Sequence, residues 1–289
     1  MRVLLTNDDG IQASGLHAMR RALSRLPDIE LAVIAPDSNR SASARSITTR
    51  TPLWVEEIAF EDGTRGFATD GTPVDCVRFA TLGLVEFEPE LIVSGINHGA
   101  NLGDDITYSG TVAAALEGAV LGVPAMAVSQ QSKKREMNFR LGHEFDFGPV
   151  AAFAAQVVYR LEEQPLPPGV LLNINCPAHE PGELRGAEVT RLGKRIYRDK
   201  LELEEEAEDG DVPRRRYRIY GDDPSYHDEE GTDFAAIGAA KISVTPLHFE
   251  LTDVGAIEEL RSWELSDLLV PSEETVAQVE GADGAHQDR

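Results

Sequence analysis

The sequence predicts an α/β protein: a Rossmann-like, doubly wound, mostly parallel sheet, followed by an extended C-terminal arm and a terminal helix. Three observations predict it. Short apolar runs of strand length alternate with helical patterns through residues 1–180. The first run, Arg2 to Thr6, ends directly in Asn7-Asp8-Asp9-Gly10, so polar side chains follow at the strand's carboxyl end. After Pro181 the pattern gives way to stretches dense in charge.

Taken in order, Arg2 to Thr6 reads as a buried parallel strand, and Gly10 lets the backbone turn sharply after it. Ser14 to Leu26 can form a helix. Glu30 to Ala35 is a second strand, ended by Pro36 and followed by the polar loop Asp37 to Ser46. Thr72, Pro73 and Asp75 mark a helix start, with threonine as N-cap, proline at the first helical position and an acid in the first turn. Leu91 to Ser94 is a short buried strand, Thr111 to Leu121 a helix, Val123 to Val128 a strand, Phe147 to Leu161 a helix and Val170 to Asn173 a strand. Residues 1–180 therefore form the expected α/β catalytic domain.

Glu188 to Tyr197 and Pro213 to Tyr220 are expected to pair as strands around the acidic stretch Glu202 to Asp211. Thr232 to Ala240 reads as a short helix, Lys241 to Pro246 as a strand and Ala256 to Leu268 as a final helix. An arm of paired strands has little core of its own, so residues 181–270 are expected to serve oligomerisation. The polar stretch 271–289 reads as a disordered tail.

Composition narrows the classes further. An apolar fraction of 42% with 27% charged residues suits a soluble globular chain. No apolar run approaches the roughly 18 residues of a membrane span, and the N-terminus lacks a signal-type pattern, so a cytoplasmic protein is expected. The formal net charge of −23 argues against a general nucleic-acid-binding surface, which needs a basic face. Carboxylates are spread along the chain and only five of the basic residues are lysines, a pattern of salt adaptation (a halophilic protein). Cys76 and Cys176 form no CxxC motif and read as buried, reduced thiols.

Asp8 and Asp9 are the expected catalytic pair. Adjacent carboxylates repel, and a bound cation would offset that repulsion; the alternative is an Asx turn that caps the next helix. Oxygen-rich residues follow three strands: Asn7, Asp8 and Asp9; Ser38, Asn39, Arg40 and Ser41; Ser94, Asn97 and Asn101. In a parallel sheet these loops share one edge, and such an all-oxygen shell favours Mg²⁺ or Mn²⁺ over Zn²⁺. Water and a substrate oxygen would complete the shell. Tyr108-Ser109-Gly110-Thr111 precedes an alanine-rich helix, whose start offers free N–H groups and two hydroxyls to an anion; ordinary capping by Ser109 is the alternative. Asp104 and Asp105 in the same loop read as turn formers rather than a second metal site.

The combined pattern resembles the SurE (survival protein E) family of metal-dependent nucleotidases. The segments that carry it are NDDG at 7–10, APDSNRS at 35–41, GTPVDCV at 71–77, SGINHGANLGDDITYSGTVAAALEG at 94–118 and ISVTPL at 242–247. The resemblance implies Asp8, Asp9, Ser41 and Asn97 as ligands of one divalent metal ion per subunit, with Asn101, Ser109, Gly110 and Thr111 near the phosphate. It also implies hydrolysis of nucleoside 5′- or 3′-monophosphates, and homodimers or homotetramers built with exchanged C-terminal arms. The loop after Ser41 departs from the family: glycine usually follows, whereas this chain reads Ala42-Ser43-Ala44-Arg45, with less backbone freedom. His98 stays outside the expected catalytic set, as either a substrate contact or a solvent-facing loop residue.

The chemistry expected is direct attack on phosphorus by a metal-activated water, with Asp8 on the metal and Asp9 orienting or deprotonating the water. One rival uses an aspartate as covalent nucleophile and a second, two positions later, as acid/base. Adjacent aspartates turn in different directions and do not suit it. The other rival is a metal-dependent nucleotide-binding or regulatory module without turnover.

Overall fold

A computed structural model describes residues 1–132, 145–198, 200–209, 212–219 and 225–266. The elements run β1 (Arg2–Thr6), α1 (Ser14–Leu23), β2 (Glu30–Pro36), β3 (Val55–Ala59), β4 (Arg65–Thr69), α2 (Pro73–Thr81), β5 (Leu91–His98), α3 (Gly110–Val120), β6 (Ala125–Gln130), α4 (Gly148–Glu163) and β7 (Val170–Cys176). They continue with β8 (Ala187–Val189), β9 (Arg195–Ile196), β10 (Glu202–Asp209), β11 (Val212–Arg218), β12 (Ser225–Tyr226), α5 (Asp233–Gly238), β13 (Ile242–His248) and α6 (Val254–Arg261). Among the described residues, nine strands form the main sheet in the order β3-β4-β2-β1-β5-β6-β7-β13-β8.

The α/β expectation holds. The run β4-β2-β1-β5-β6-β7 is parallel, and β3 and β13 pair antiparallel at either side of it. Side chains alternate across the sheet, as a strand requires. Val3 and Leu5 join a core with Leu16 and Met19 of α1 and Val150 and Ala154 of α4. Leu4, between them, joins Cys76 and Val77 of α2 and Val112 and Ala115 of α3 on the other side. Both cysteines are free and buried, and burial pushes both thiols up, that of Cys176 to about 12.

Met1–Phe249 forms one compact unit, because β8 and β13 complete the sheet. A second unit starts at Glu250; its described part holds α6, capped by Asp253, which accepts from the Ala256 N–H at 3.1 Å. The expected tail 271–289 lies outside the described residues.

Three elements differ from expectation. The hairpin β3/β4 has no counterpart in the sequence reading, since Glu56, Glu57 and Arg65 break the apolar signal of an edge pair. The strand expected over Leu91 to Ser94 runs on to His98: beyond a register shift, Asn97 and His98 pair with Ser129 and Gln130 of β6. The arm is paired differently as well. The acidic stretch is itself strand β10, set against the arginines of β11 with Glu206 opposite Arg215 and Glu205 opposite Arg216. Exposed ion pairs at 2.7 Å join each of these couples, so opposite charge across the strands selects the partner. Glu188 to Tyr197 splits instead into β8, beside β13, and β9, which pairs with β12.

Candidate active site

The strand order reverses between β1 and β5. From β1 the chain moves outward through β2 to β4, then returns to β5 on the other side of β1. The crevice at the carboxyl ends of two such strands is the expected ligand position of an open α/β sheet. Thr6 lies beside Ser94, so Asp8 and Asp9 emerge next to Asn97 and His98.

The turn after β1 is made by Asn7. Its side chain accepts from the Gly10 N–H at 3.2 Å and donates to the Gly10 carbonyl at 2.9 Å, while Gly10 takes φ 104°. Ala13 is the N-cap of α1, with no side-chain cap bond. The two aspartates therefore neither build the turn nor cap the helix.

Asp8 is only 3% exposed. The Thr111 hydroxyl donates to its Oδ1 at 2.5 Å, and burial together with the charge of Asp9 pushes its carboxyl up to about 6. Asp9 is held from two sides: Asn39 Nδ2 donates to Oδ1 at 3.0 Å, and the His98 N–H donates to Oδ2 at 2.8 Å. The His98 ring adds its Nδ1 at 3.0 Å from the same oxygen, and Phe145 and Phe147 pack against that ring. His98 is thus a partner of Asp9 rather than a solvent-facing residue, a relation between β1 and β5 that no local motif reveals.

Ser41 comes from the loop after β2 and Asn97 from the end of β5. The Arg40 N–H donates to the Asp8 carbonyl at 2.7 Å, which brings the β2 loop against β1, and the Ser41 N–H is fixed by Asn39 Oδ1 at 2.8 Å. Asn97 donates its Nδ2 to the Gly99 carbonyl at 2.8 Å, so its amide oxygen is the end left to face a cation. Two acids with hydroxyl and amide oxygens suit a hard divalent ion. The raised carboxyl of Asp8 fits such a group too, because a neighbouring cation favours the ionised form. Among the described residues no group of three or more His, Cys, Asp or Glu suits a metal.

On the other side of Asp8 stands the start of α3. Ser109 caps it, accepting from the Val112 N–H at 3.1 Å. Gly110 is required by proximity: a methyl there would lie 2.8 Å from Asp8 Cβ and 2.9 Å from Oδ2. Asn101 sits deeper in a bracket of amides, with its N–H on Asn175 Oδ1 at 2.7 Å, its carbonyl bound by Asn173 and Asn175, and its Nδ2 on Ser129 Oγ at 2.8 Å. The loop from Asn101 to Ser109 is tied down from the distant part of the chain. Buried Asp233 of α5 accepts from the Gly103 and Gly193 N–H groups, each at 2.8 Å, and burial raises its pKa. Asp105 binds Arg195 at 2.5 Å and the Tyr197 hydroxyl at 2.6 Å, so the second acidic pair serves loop anchoring.

The family model described as Survival protein SurE matches residues 3–199. The chain belongs to the SurE family. Among its relatives is the 5′-nucleotidase SurE of Rubrobacter xylanophilus, 52% identical over 93% of this chain and 100% of the relative. The 5′-nucleotidase SurE of Chloroflexus aggregans is 47% identical over 91% of this chain and 99% of its own length. The crystal structure of the SurE protein from Aquifex aeolicus superposes with a TM-score of 0.73 at 35% identity, covering 91% of this chain and 100% of that one.

Proposed function

We propose that this SurE chain is a metal-dependent phosphomonoesterase that hydrolyses nucleoside 5′-monophosphates, and 3′-monophosphates as a second class, to nucleoside and phosphate. The observation that carries the reading is the junction of the Asp8–Asp9 pair with the start of α3 through the Thr111–Asp8 bond. The names of the relatives, 5′-nucleotidase SurE, support the substrate class.

Asp8, Asp9, Ser41 and Asn97 would hold one Mg²⁺ or Mn²⁺ per subunit. When bound, the ion supplies positive charge for the phosphoryl oxygens and lowers the pKa of a nearby water. The start of α3, where Ser109, Gly110 and Thr111 stand, receives the phosphoryl oxygens that carry the developing charge. Asn101 supports that loop. Asp9, positioned by Asn39 and His98, orients the attacking water and accepts its proton as the new P–O bond forms, while the P–O bond to the nucleoside breaks and the departing oxygen takes a proton from solvent.

We place the subunit contact of a homodimer or homotetramer on the exposed β10/β11 hairpin, and the protein in the cytoplasm; no described helix is long and apolar enough to cross a membrane. The test is phosphate release from purified protein against nucleoside 5′- and 3′-monophosphates, sugar phosphates and short polyphosphates, after chelation and again with Mg²⁺ or Mn²⁺. Turnover of nucleotides that needs the metal supports the reading. Nucleotide binding without release of phosphate supports the regulatory-module rival instead.

A further inference from the structure

The loop that departs from the family's glycine gives Ser43 a specific geometry. Ala42 and Ala44, on either side of it, both stand in the left-handed region, at φ 58° and 50°, which side chains other than glycine disfavour. Bonds hold this arrangement. The Ser43 N–H donates to the Arg40 carbonyl and the Ala44 N–H to the Tyr108 carbonyl, each at 3.2 Å, so the loop is joined to the chain just before Ser109. Arg45 then donates to Glu117 Oε2 of α3 at 2.7 Å, and its guanidinium lies 4.4 Å above the Phe249 ring. Arg78 of α2 pairs with the other oxygen of Glu117 at 2.6 Å, and Glu117 is buried. The loop is therefore pinned to the same helix whose start faces Asp8.

Within this frame the Ser43 Oγ is buried and has no hydrogen-bond partner among the described residues. It lies against Gly110 on the side of Asp8: a methyl at Gly110 would lie 3.2 Å from Ser43 Oγ and 2.9 Å from Asp8 Oδ2. A buried hydroxyl without a partner is unfavourable, and a bound acceptor removes that penalty. The hydroxyl is a donor, so the group that suits it carries an acceptor oxygen.

We propose that Ser43 is a substrate-binding residue, donating its hydroxyl to a phosphoryl oxygen, and that Arg45 is the positioning residue that holds it there through Glu117. The assignment rests on the phosphomonoesterase reading above and adds a donor to it from the β2 loop.

The experiment measures calorimetric binding of inorganic phosphate in the presence of Mn²⁺, and steady-state hydrolysis of a nucleoside 5′-monophosphate. Ser43→Ala should weaken phosphate binding and raise KM by about tenfold, the loss of one hydrogen bond to a charged group, with a smaller change in kcat. Ser43→Thr, which keeps the hydroxyl, should restore both. Arg45→Met should give the Ser43→Ala result, and the double variant should be no worse than either single one, since both remove the same contact. Unchanged phosphate affinity in Ser43→Ala, no phosphate binding by the unmodified protein, or single effects that multiply in the double variant would each overturn the assignment. The two readings fail separately. An enzyme that turns over nucleotides but is indifferent to Ser43→Ala removes the role of Ser43 alone; a protein without turnover whose phosphate binding still falls tenfold removes the reaction alone.

Discussion

Asp8 is a buried carboxylate next in sequence to a second carboxylate, and both burial and that neighbouring charge work against its ionised form. Asp8→Asn should therefore leave the chelated protein folded with an equal or higher melting temperature, while removing most turnover and most of the stabilisation that Mg²⁺ or Mn²⁺ provides. Differential scanning calorimetry with and without metal reads both effects; a marked loss of stability in the chelated variant would contradict the argument. Gly110→Ala tests the close approach at α3. A methyl 2.8 Å from Asp8 Cβ forces a shift of the carboxylate or the helix start, and a misplacement of about 1 Å in such a site lowers turnover on the order of a hundredfold. Wild-type kcat in this variant would show that the site tolerates the displacement. The oxygens of Asp8 and Asp9 point to different partners, Thr111 for one and Asn39 and His98 for the other. Neither is arranged as a nucleophile backed by the other, so hydrolysis should proceed in one displacement with inversion at phosphorus. A chiral, isotopically labelled phosphate ester decides this, and net retention would point to an aspartyl-phosphate.

At the level of elements, local chemistry sets the well-formed pieces. Thr72, Pro73 and Asp75 start α2 as expected, in a reciprocal cap where Thr72 Oγ1 accepts from the Asp75 N–H at 3.2 Å and Asp75 Oδ2 accepts from the Thr72 N–H at 2.9 Å. The β10/β11 hairpin behaves differently, because its partner choice lies in charge complementarity between two strands that are each poor in apolar residues. Its ion pairs are solvent-exposed and each adds little, so an isolated two-stranded ribbon of this kind gains stability by packing against another chain. Replacing residues 202–218 with a short glycine-serine turn should lower the oligomeric state while leaving the sheet of Met1–Phe249 folded. Light scattering combined with circular dichroism checks it, and an unchanged mass would move the subunit contact elsewhere.

For the whole molecule the governing quantity is a net charge of −23. Self-repulsion of that size opposes compaction at low ionic strength, and in molar salt the screening length falls to about 3 Å. The melting temperature should rise from low to molar KCl, and a flat or falling curve would contradict salt adaptation.

The sequence by itself determined the parallel sheet, its helices and the residues gathered at its edge, because these depend on local signals: apolar runs, caps, and polar residues placed just after a strand. Asp8, Asp9 and the Ser109 to Thr111 segment were legible for that reason, whereas Asn97, expected in a loop, lies inside β5. Tertiary structure alone decided how they are joined. The Thr111 hydroxyl, read as a donor to phosphate, is on Asp8; His98, 89 residues from Asp9, holds its carboxylate; and Asp233, 130 residues from Gly103, fixes the loop before α3. The first joins two side chains and the other two join a carboxylate to a backbone N–H, in each case far apart in the sequence. Their existence follows from the register of β1 against β5 and from the return of the chain to the sheet at β13, which no window of neighbouring residues encodes.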